Sequence, residues 1–317
     1  VRCINKFAVL PILLSVVLCG CSGGDYALHY SSKLTEYNVG GGERLDTFAS
    51  DLCVTNSEIG DSLSLTEKTC CGLFDLNRKE TLYSHNAQLK LDPASLTKVM
   101  TAIVALKYGS LDQILVADNK VIVTEDGAQK INLSAGDSMT LDQALHILLL
   151  YSANDVAILI AENVAGSIDE FIDLMNQEAM SIGATNTHFM NPNGLTEDDH
   201  YTSVYDMYLM FNEALKYDKF NEIIRMSSYS TQYNTSTGDL KELNVNNTNG
   251  FINGNYEMPA GITVLGGKTG TTAAAGHCLI QLATDTSGNP YIAVIMRAED
   301  TQTLYNEMSD LLLQITG

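Results

Sequence analysis

Apolar residues along this chain recur with two periods, and the period changes twice. Near the start, Cys71-Gly72-Leu73-Phe74-Asp75-Leu76 and Thr81-Leu82-Tyr83 flank the turn residues Asn77-Arg78-Lys79, which predicts a β-hairpin. Val99 to Leu106 is an apolar stretch announced by Pro93 and Ser95, a pattern that starts a helix. Two further helical runs, Leu141 to Leu150 and Val156 to Val164, are interrupted by the polar Tyr151-Ser152-Ala153-Asn154-Asp155. Ser167-Ile168-Asp169-Glu170 has the capping-box pattern and opens a helix that stops near Gly183. Thr202 to Lys216 sets Val204, Met207, Tyr208, Met210, Phe211 and Leu215 at helical spacing, so its Met and Tyr residues read as core packing. Residues 231–256 are rich in Asn, Thr, Ser and Gly and read as a long polar excursion. Strand-like runs return at Ile262 to Leu265, Cys278 to Thr284 and Tyr291 to Met296, the last two around a turn at Ser287-Gly288-Asn289-Pro290. A helix from about Thr303 to Ile315 follows. Strands and helices at both ends of a helical insert predict one α/β unit, its antiparallel sheet flanked by helices and joined to an all-helical subdomain.

Upstream of this unit the pattern is different. Arg2 and Lys6 precede the apolar Phe7 to Leu18, too short for a comfortable membrane span. Leu18-Cys19-Gly20-Cys21 follows and resembles a bacterial lipobox, so residues 1–20 are expected to be a lipoprotein signal peptide and Cys21 the lipidated residue. Residues 22–42 are polar, end in three glycines and read as a flexible tether. Residues 43–66 are ambiguous and compatible with a short helix packed on the domain. The expected division is therefore 1–20, 21–66 and a catalytic domain at 67–317.

Charge narrows the function classes. The formal charge is −20, which argues against nucleic-acid binding and against electrostatic docking to anionic lipid. Membrane contact then calls for an apolar or covalent anchor. Four cysteines remain beyond Cys21, namely Cys53, Cys70, Cys71 and Cys278, and the sequence assigns them no pairing. No Cys-x-x-Cys outside the signal suggests zinc, and no metal or other cofactor is expected. His188 reads as structural within its loop.

Candidate chemistry sits in three places. Ser95-Leu96-Thr97-Lys98 puts a serine three residues before a lysine, so on a helix the two side chains share a face one turn apart. A serine hydroxyl needs a base to become a nucleophile, and a lysine kept neutral by burial can be that base. Alone, this pair also fits a helix N-cap followed by a solvated lysine. Ser152 and Asn154, between two apolar helices, would project from a tight turn into a cleft, although an ordinary Asn-containing turn fits too. The same S-x-N spacing occurs at Ser84-His85-Asn86, which ends a strand-like run just before Ser95 and is set aside. Gly266-Gly267-Lys268-Thr269-Gly270-Thr271-Thr272 follows a strand; its glycines admit a ligand close to the backbone, and Lys268 and Thr269 suit a carboxylate. A phosphate loop would need Gly where Ile262 stands and a helix after Thr269, so the nucleotide reading fails.

In this order the three elements match the set found in penicillin-binding proteins and class A β-lactamases. The sequence resembles that superfamily, and more closely the low-molecular-mass D-alanyl-D-alanine carboxypeptidases of the S11 peptidase type. Leu91 to Ala102, His188-Phe189-Met190-Asn191-Pro192-Asn193-Gly194-Leu195, and Lys268 to Thr272 with Ala275 to Leu279 carry the likeness, which covers roughly residues 67 to 317. The resemblance implies a β-lactamase/transpeptidase-like fold and a serine-type D-Ala-D-Ala carboxypeptidase that is a penicillin target. It implies Ser95 as nucleophile, Lys98 as base and Ser152 as proton relay to the leaving amine. Asn154, Lys268, Thr269, Gly270 and Thr271 would bind substrate, and the backbone N–H groups of Ser95 and Thr271 would form an oxyanion hole. The implied partners are a peptidoglycan stem peptide ending in D-Ala-D-Ala and β-lactam antibiotics. The implied place is the extracytoplasmic face of a bacterial membrane, held there through the N-terminal lipid. Class A β-lactamases deacylate with a glutamate in E-x-x-L-N; no glutamate here stands in that pattern, and the second element is Ser-Ala-Asn, not Ser-Asp-Asn. A penicillin-binding sensor without turnover would keep the same residues.

Overall fold

The structure, a computed structural model, describes residues 51–55, 58–60 and 63–316. Its frame is a five-stranded antiparallel sheet. Strands β1 (Cys70–Asp75) and β2 (Glu80–His85) come from the start of the described region, and β7 (Thr263–Thr272), β8 (Gly276–Thr284) and β9 (Pro290–Ala298) from its end, in the order β2-β1-β9-β8-β7. Strand β1 pairs directly with β9, Cys70 opposite Met296 and Asp75 opposite Tyr291. Both faces of this sheet are covered, which explains why β8 and β9 read as continuous apolar runs. On one face Phe74, Ile280, Ile292, Val294 and Met296 join the large core. On the other Leu73, Leu279, Ala293 and Ile295 meet Leu304, Met308, Leu311 and Leu312 of the helix Thr301–Leu313.

The large core is built around α1 (Lys98–Tyr108), whose residues from Lys98 to Ala105 are all buried. A helix apolar on every side belongs in the middle of a protein, and α1 packs against α3 (Asn154–Ala165), α4 (Ile168–Ile182) and α5 (Val204–Ala214). Tyr208 of α5 stacks on Phe74 at 4.1 Å between ring centroids and accepts a hydrogen bond from the Cys53 backbone N–H at 2.8 Å, which ties the upstream segment to the core.

The predicted hairpin, the insert helices and the final strands are present. Ser167 caps α4 by accepting from the Glu170 N–H, and Gly183 ends that helix with φ 89°. The reciprocal capping box occurs instead at Thr140 and Gln143, at the start of α2 (Leu141–His146). Residues 231–256 are not a plain excursion. They contain most of a hairpin, β5 (Ser228–Asn234) and β6 (Leu240–Asn246), which joins β3 (Ile114–Val116) and β4 (Ser138–Thr140) in a four-stranded sheet, so the helical part also carries strands. In the stretch 43–66, the described residues contain no helix; Ile59 forms a β-bridge with Ser84 of β2. The segments expected to be a signal peptide (1–20) and a tether (22–42), and Cys21 between them, lie outside the described residues. Among the described residues no helix is long and apolar enough to cross a membrane, and Cys53, Cys70, Cys71 and Cys278 are buried free thiols.

Candidate active site

Ser95 lies in a single 3₁₀ turn, Ala94–Thr97, that leads straight into α1. Lys98 is thus the first residue of the α-helix, and its Nζ sits 2.9 Å from Ser95 Oγ. The lysine is wholly buried, and Nζ also donates to Asn154 Oδ1 at 2.8 Å and to the Asn193 carbonyl. These partners define what the amine can do. A neutral amine has two N–H bonds and one lone pair; two carbonyl-type oxygens take the N–H bonds, and the lone pair is left facing the Ser95 hydroxyl.

The second wall comes from a break between helices. After α2 the chain makes a π-helical turn, Ile147–Tyr151, then places Ser152 in the left-handed region (φ 67°) before α3 begins at Asn154. The break aims both side chains inward: Asn154 at Lys98, and Ser152 at Lys268, whose Nζ lies 2.8 Å from Ser152 Oγ. Asp155 secures the neighbouring loop by accepting from the backbone N–H groups of Ile131 and Leu133, while the Asn154 N–H donates to Gln129.

The third wall is β7, at the edge of the sheet. Thr269 Oγ1 is 2.6 Å from Thr248 Oγ1. Gly270 has to lack a side chain: a Cβ there would come within 2.9 Å of the Ser95 backbone nitrogen. Ser95, Ser152, Asn154, Thr269, Gly270 and Thr271 all line one cleft of about 680 Å³, and the two lysines lie buried beneath it. Ser84 and Asn86 are outside its lining.

Electrostatics follow from burial. Removal from water pushes the Lys98 amine well below the usual lysine range, the nearby Lys268 charge pushes the same way, and Asp155 pulls weakly against both. Burial alone brings Lys268 down to about 7. Two buried amines side by side favour leaving one of them neutral.

All the residues expected in the cleft meet there, and the structure adds others. Thr248 carries no sequence signal, and the Asn193 carbonyl and Gly194, although inside the family-like His188–Leu195 segment, had no role assigned to them. Nor had His200, whose ring touches Thr97 in the nucleophile turn at 2.9 Å; His188 instead pairs with Asp199 inside its own loop. Gly194 has φ 87°, and a Cβ on it would overlap the Ala94 carbonyl. Gly194→Ala therefore costs about 1–3 kcal/mol for the backbone conformation before any clash. A lowered melting temperature with slower penicillin acylation is the expected result; unchanged values of both would contradict this geometry.

A mixed sheet-and-helix frame with a serine-lysine pair facing a glycine-rich edge strand defines the β-lactamase/transpeptidase fold. Solved structures agree. A point mutant of a Streptomyces DD-transpeptidase superposes with a TM-score of 0.71 at 25% identity, over 78% of this chain and 97% of that one. A D-alanyl-D-alanine carboxypeptidase from Mycobacterium tuberculosis does so with a TM-score of 0.70 at 25% identity, over 82% and 96%. The profile of the peptidase S11 family, D-alanyl-D-alanine carboxypeptidase, matches residues 68–300, and the chain belongs to that family. It is 34% identical to the D-alanyl-D-alanine carboxypeptidase DacF of Bacillus subtilis over 65% of this chain and 51% of the relative. With DacC of Escherichia coli the figures are 32%, 76% and 59%, so the chain spans a little over half the length of these curated relatives.

Proposed function

We propose that this protein is a serine-type D-Ala-D-Ala carboxypeptidase that trims the terminal D-alanine from peptidoglycan stem peptides and is acylated by penicillins. The observation that carries the reading is the Lys98 amine, buried and 2.9 Å from Ser95 Oγ, with two oxygens occupying its N–H bonds. In the proposed reaction Ser95 Oγ bonds to the carbonyl carbon of the penultimate D-alanine, and its proton passes to Lys98. The carbonyl electron pair moves onto oxygen, held by the N–H groups of Ser95 and Thr271. When it returns, the C–N bond breaks and the departing D-alanine nitrogen takes, by relay through Ser152, the proton that Lys98 had accepted, which leaves Lys98 neutral again. Water then adds to the Ser95 ester, releasing the shortened peptide and restoring the serine hydroxyl. Asn154 holds the substrate backbone; Lys268 and Thr269 receive the terminal carboxylate, with Gly270 giving the edge strand its close approach. A carboxylate beside Lys268 would restore the charge that burial weakens.

The lipobox-like Leu18-Cys19-Gly20-Cys21 supports a further part of this reading. The protein would be lipidated at Cys21 and held on the extracytoplasmic face of the membrane.

Mass spectrometry tests the enzymatic claim. Incubation with diacetyl-Lys-D-Ala-D-Ala is expected to release D-alanine, and incubation with penicillin to leave an adduct on Ser95. An adduct without D-alanine release would favour a sensor, or a transpeptidase lacking its acceptor. Fast, sustained nitrocefin hydrolysis would favour a β-lactamase.

A further inference from the structure

The nucleophile turn contains a strained residue just before the serine. Ala94 has φ 47°, a conformation that costs a non-glycine residue on the order of 1–3 kcal/mol unless its surroundings hold it. Its carbonyl accepts a hydrogen bond from Thr97 Oγ1 at 2.8 Å. Thr97 Oγ1 in turn lies 2.9 Å from His200 Nε2, and His200 Nδ1 accepts from the Met190 backbone N–H at 3.0 Å. The Met190 contact fixes the tautomer. Nδ1 has to offer a lone pair, so in the neutral ring the proton is on Nε2 and is donated to Thr97, which leaves the Thr97 proton for Ala94.

We infer that His200 is a positioning residue for the oxyanion hole, acting through Thr97 on the Ala94–Ser95 peptide. The C=O and N–H of one planar peptide point in opposite directions. Pinning the Ala94 carbonyl therefore fixes the direction of the Ser95 N–H, whose nitrogen lies beside Gly270 of the edge strand. The ring is itself well anchored. It is 4% exposed and packs edge-on against Phe189. The loop that carries it is bonded to α1 by Thr101 Oγ1, which donates to the Pro192 carbonyl at 2.5 Å. Burial, helped by His188, pushes the imidazole down to about 4, so it is neutral at physiological pH, as this chain of hydrogen bonds requires.

This inference rests on the acyl-enzyme reading above, and the test separates the two. The protein is acylated with a penicillin carrying ¹³C at its β-lactam carbonyl, and the ester band is read by infrared difference spectroscopy. Oxyanion hydrogen bonds lower that frequency. Thr97→Val keeps the volume and removes the hydroxyl; it is expected to raise the band and to slow acylation about 10–10²-fold, less than the ~10²–10³ for deleting a donor outright. His200→Ala should match it, the double variant should add nothing further, and His200→Gln, with an amide N–H near the Nε2 position, should recover part of the loss. An unshifted band and near-normal acylation in Thr97→Val overturn the inference even if His200→Ala fails to fold. A parent protein that takes no label defeats the acyl-enzyme reading, and this inference falls with it.

Discussion

Ser95→Ala is expected to form no covalent adduct with penicillin and to release no D-alanine. Loss of an activated serine in a comparable constellation lowers turnover by about 10⁶, and the geometry here leaves no understudy. The other cleft serine, Ser152, has its hydroxyl 2.8 Å from Lys268, an amine that burial brings only to about 7 and that is needed as a cation. Ser95 Oγ is bonded only to Lys98 among the described side chains, so its removal leaves the fold intact. Intact-protein mass spectrometry, with melting temperature as the control, checks this. An adduct of normal yield on the alanine variant, or one mapped to Ser152, would remove Ser95 from its role.

Lys98→Ala is expected to lose about 10²–10⁴ in acylation rate, the usual contribution of a positioned base. It also strips Asn154 Oδ1 and the Asn193 carbonyl of their donor, so some stability goes with the activity. The pH dependence carries the finer test. In the proposed mechanism Lys98 works only when neutral, so the rate is expected to fall as pH drops through its lowered pKa. In the same mechanism Lys268 works as a cation, and burial lets its proton go as pH rises past about 7. The kcat/KM profile should be bell-shaped, and because the amines are neighbours its two limbs belong to the pair. Lys268→Arg, which cannot deprotonate in this range, should flatten the alkaline limb and spare the acid one. A profile level from about pH 5 to pH 9 would be incompatible with these roles.

Much of this was legible in the sequence, for identifiable reasons. The strands of the main sheet and the helix α1 are deeply buried, so composition marked them, and the three polar elements stood out because each interrupts or opens an apolar run. The hairpin of β5 and β6 did not, because its inner face is mostly half-buried: of its fourteen residues only Tyr233 and Val245 are buried, and the alternating inward positions Tyr229, Thr231 and Leu243 are only partly covered and set among polar residues. The left-handed Ser152 and the π-helical turn before it are consequences of packing and have no local signature. His200 meets Thr97 across 103 residues of sequence, from a polar segment where a lone histidine looks ordinary. Thr248 likewise reaches its partner only once β7 is in place.

The pairing of β1 with β9 also sets a timetable for the molecule. Contacts between distant parts of a chain form slowly, because a long loop must close before they return anything. Here the sheet is interrupted at its centre until residues 290–298 arrive, since β9 is the strand that joins the β1–β2 hairpin to the β7–β8 pair. The hydrogen-bonded ladder that links the edge strand carrying Lys268 to the β1–β2 hairpin is complete only when β9 is in place. A chain that has not yet docked β9 holds Ser95, Ser152, Asn154 and Lys268 but lacks the strand that joins the two halves of the sheet between which they are held.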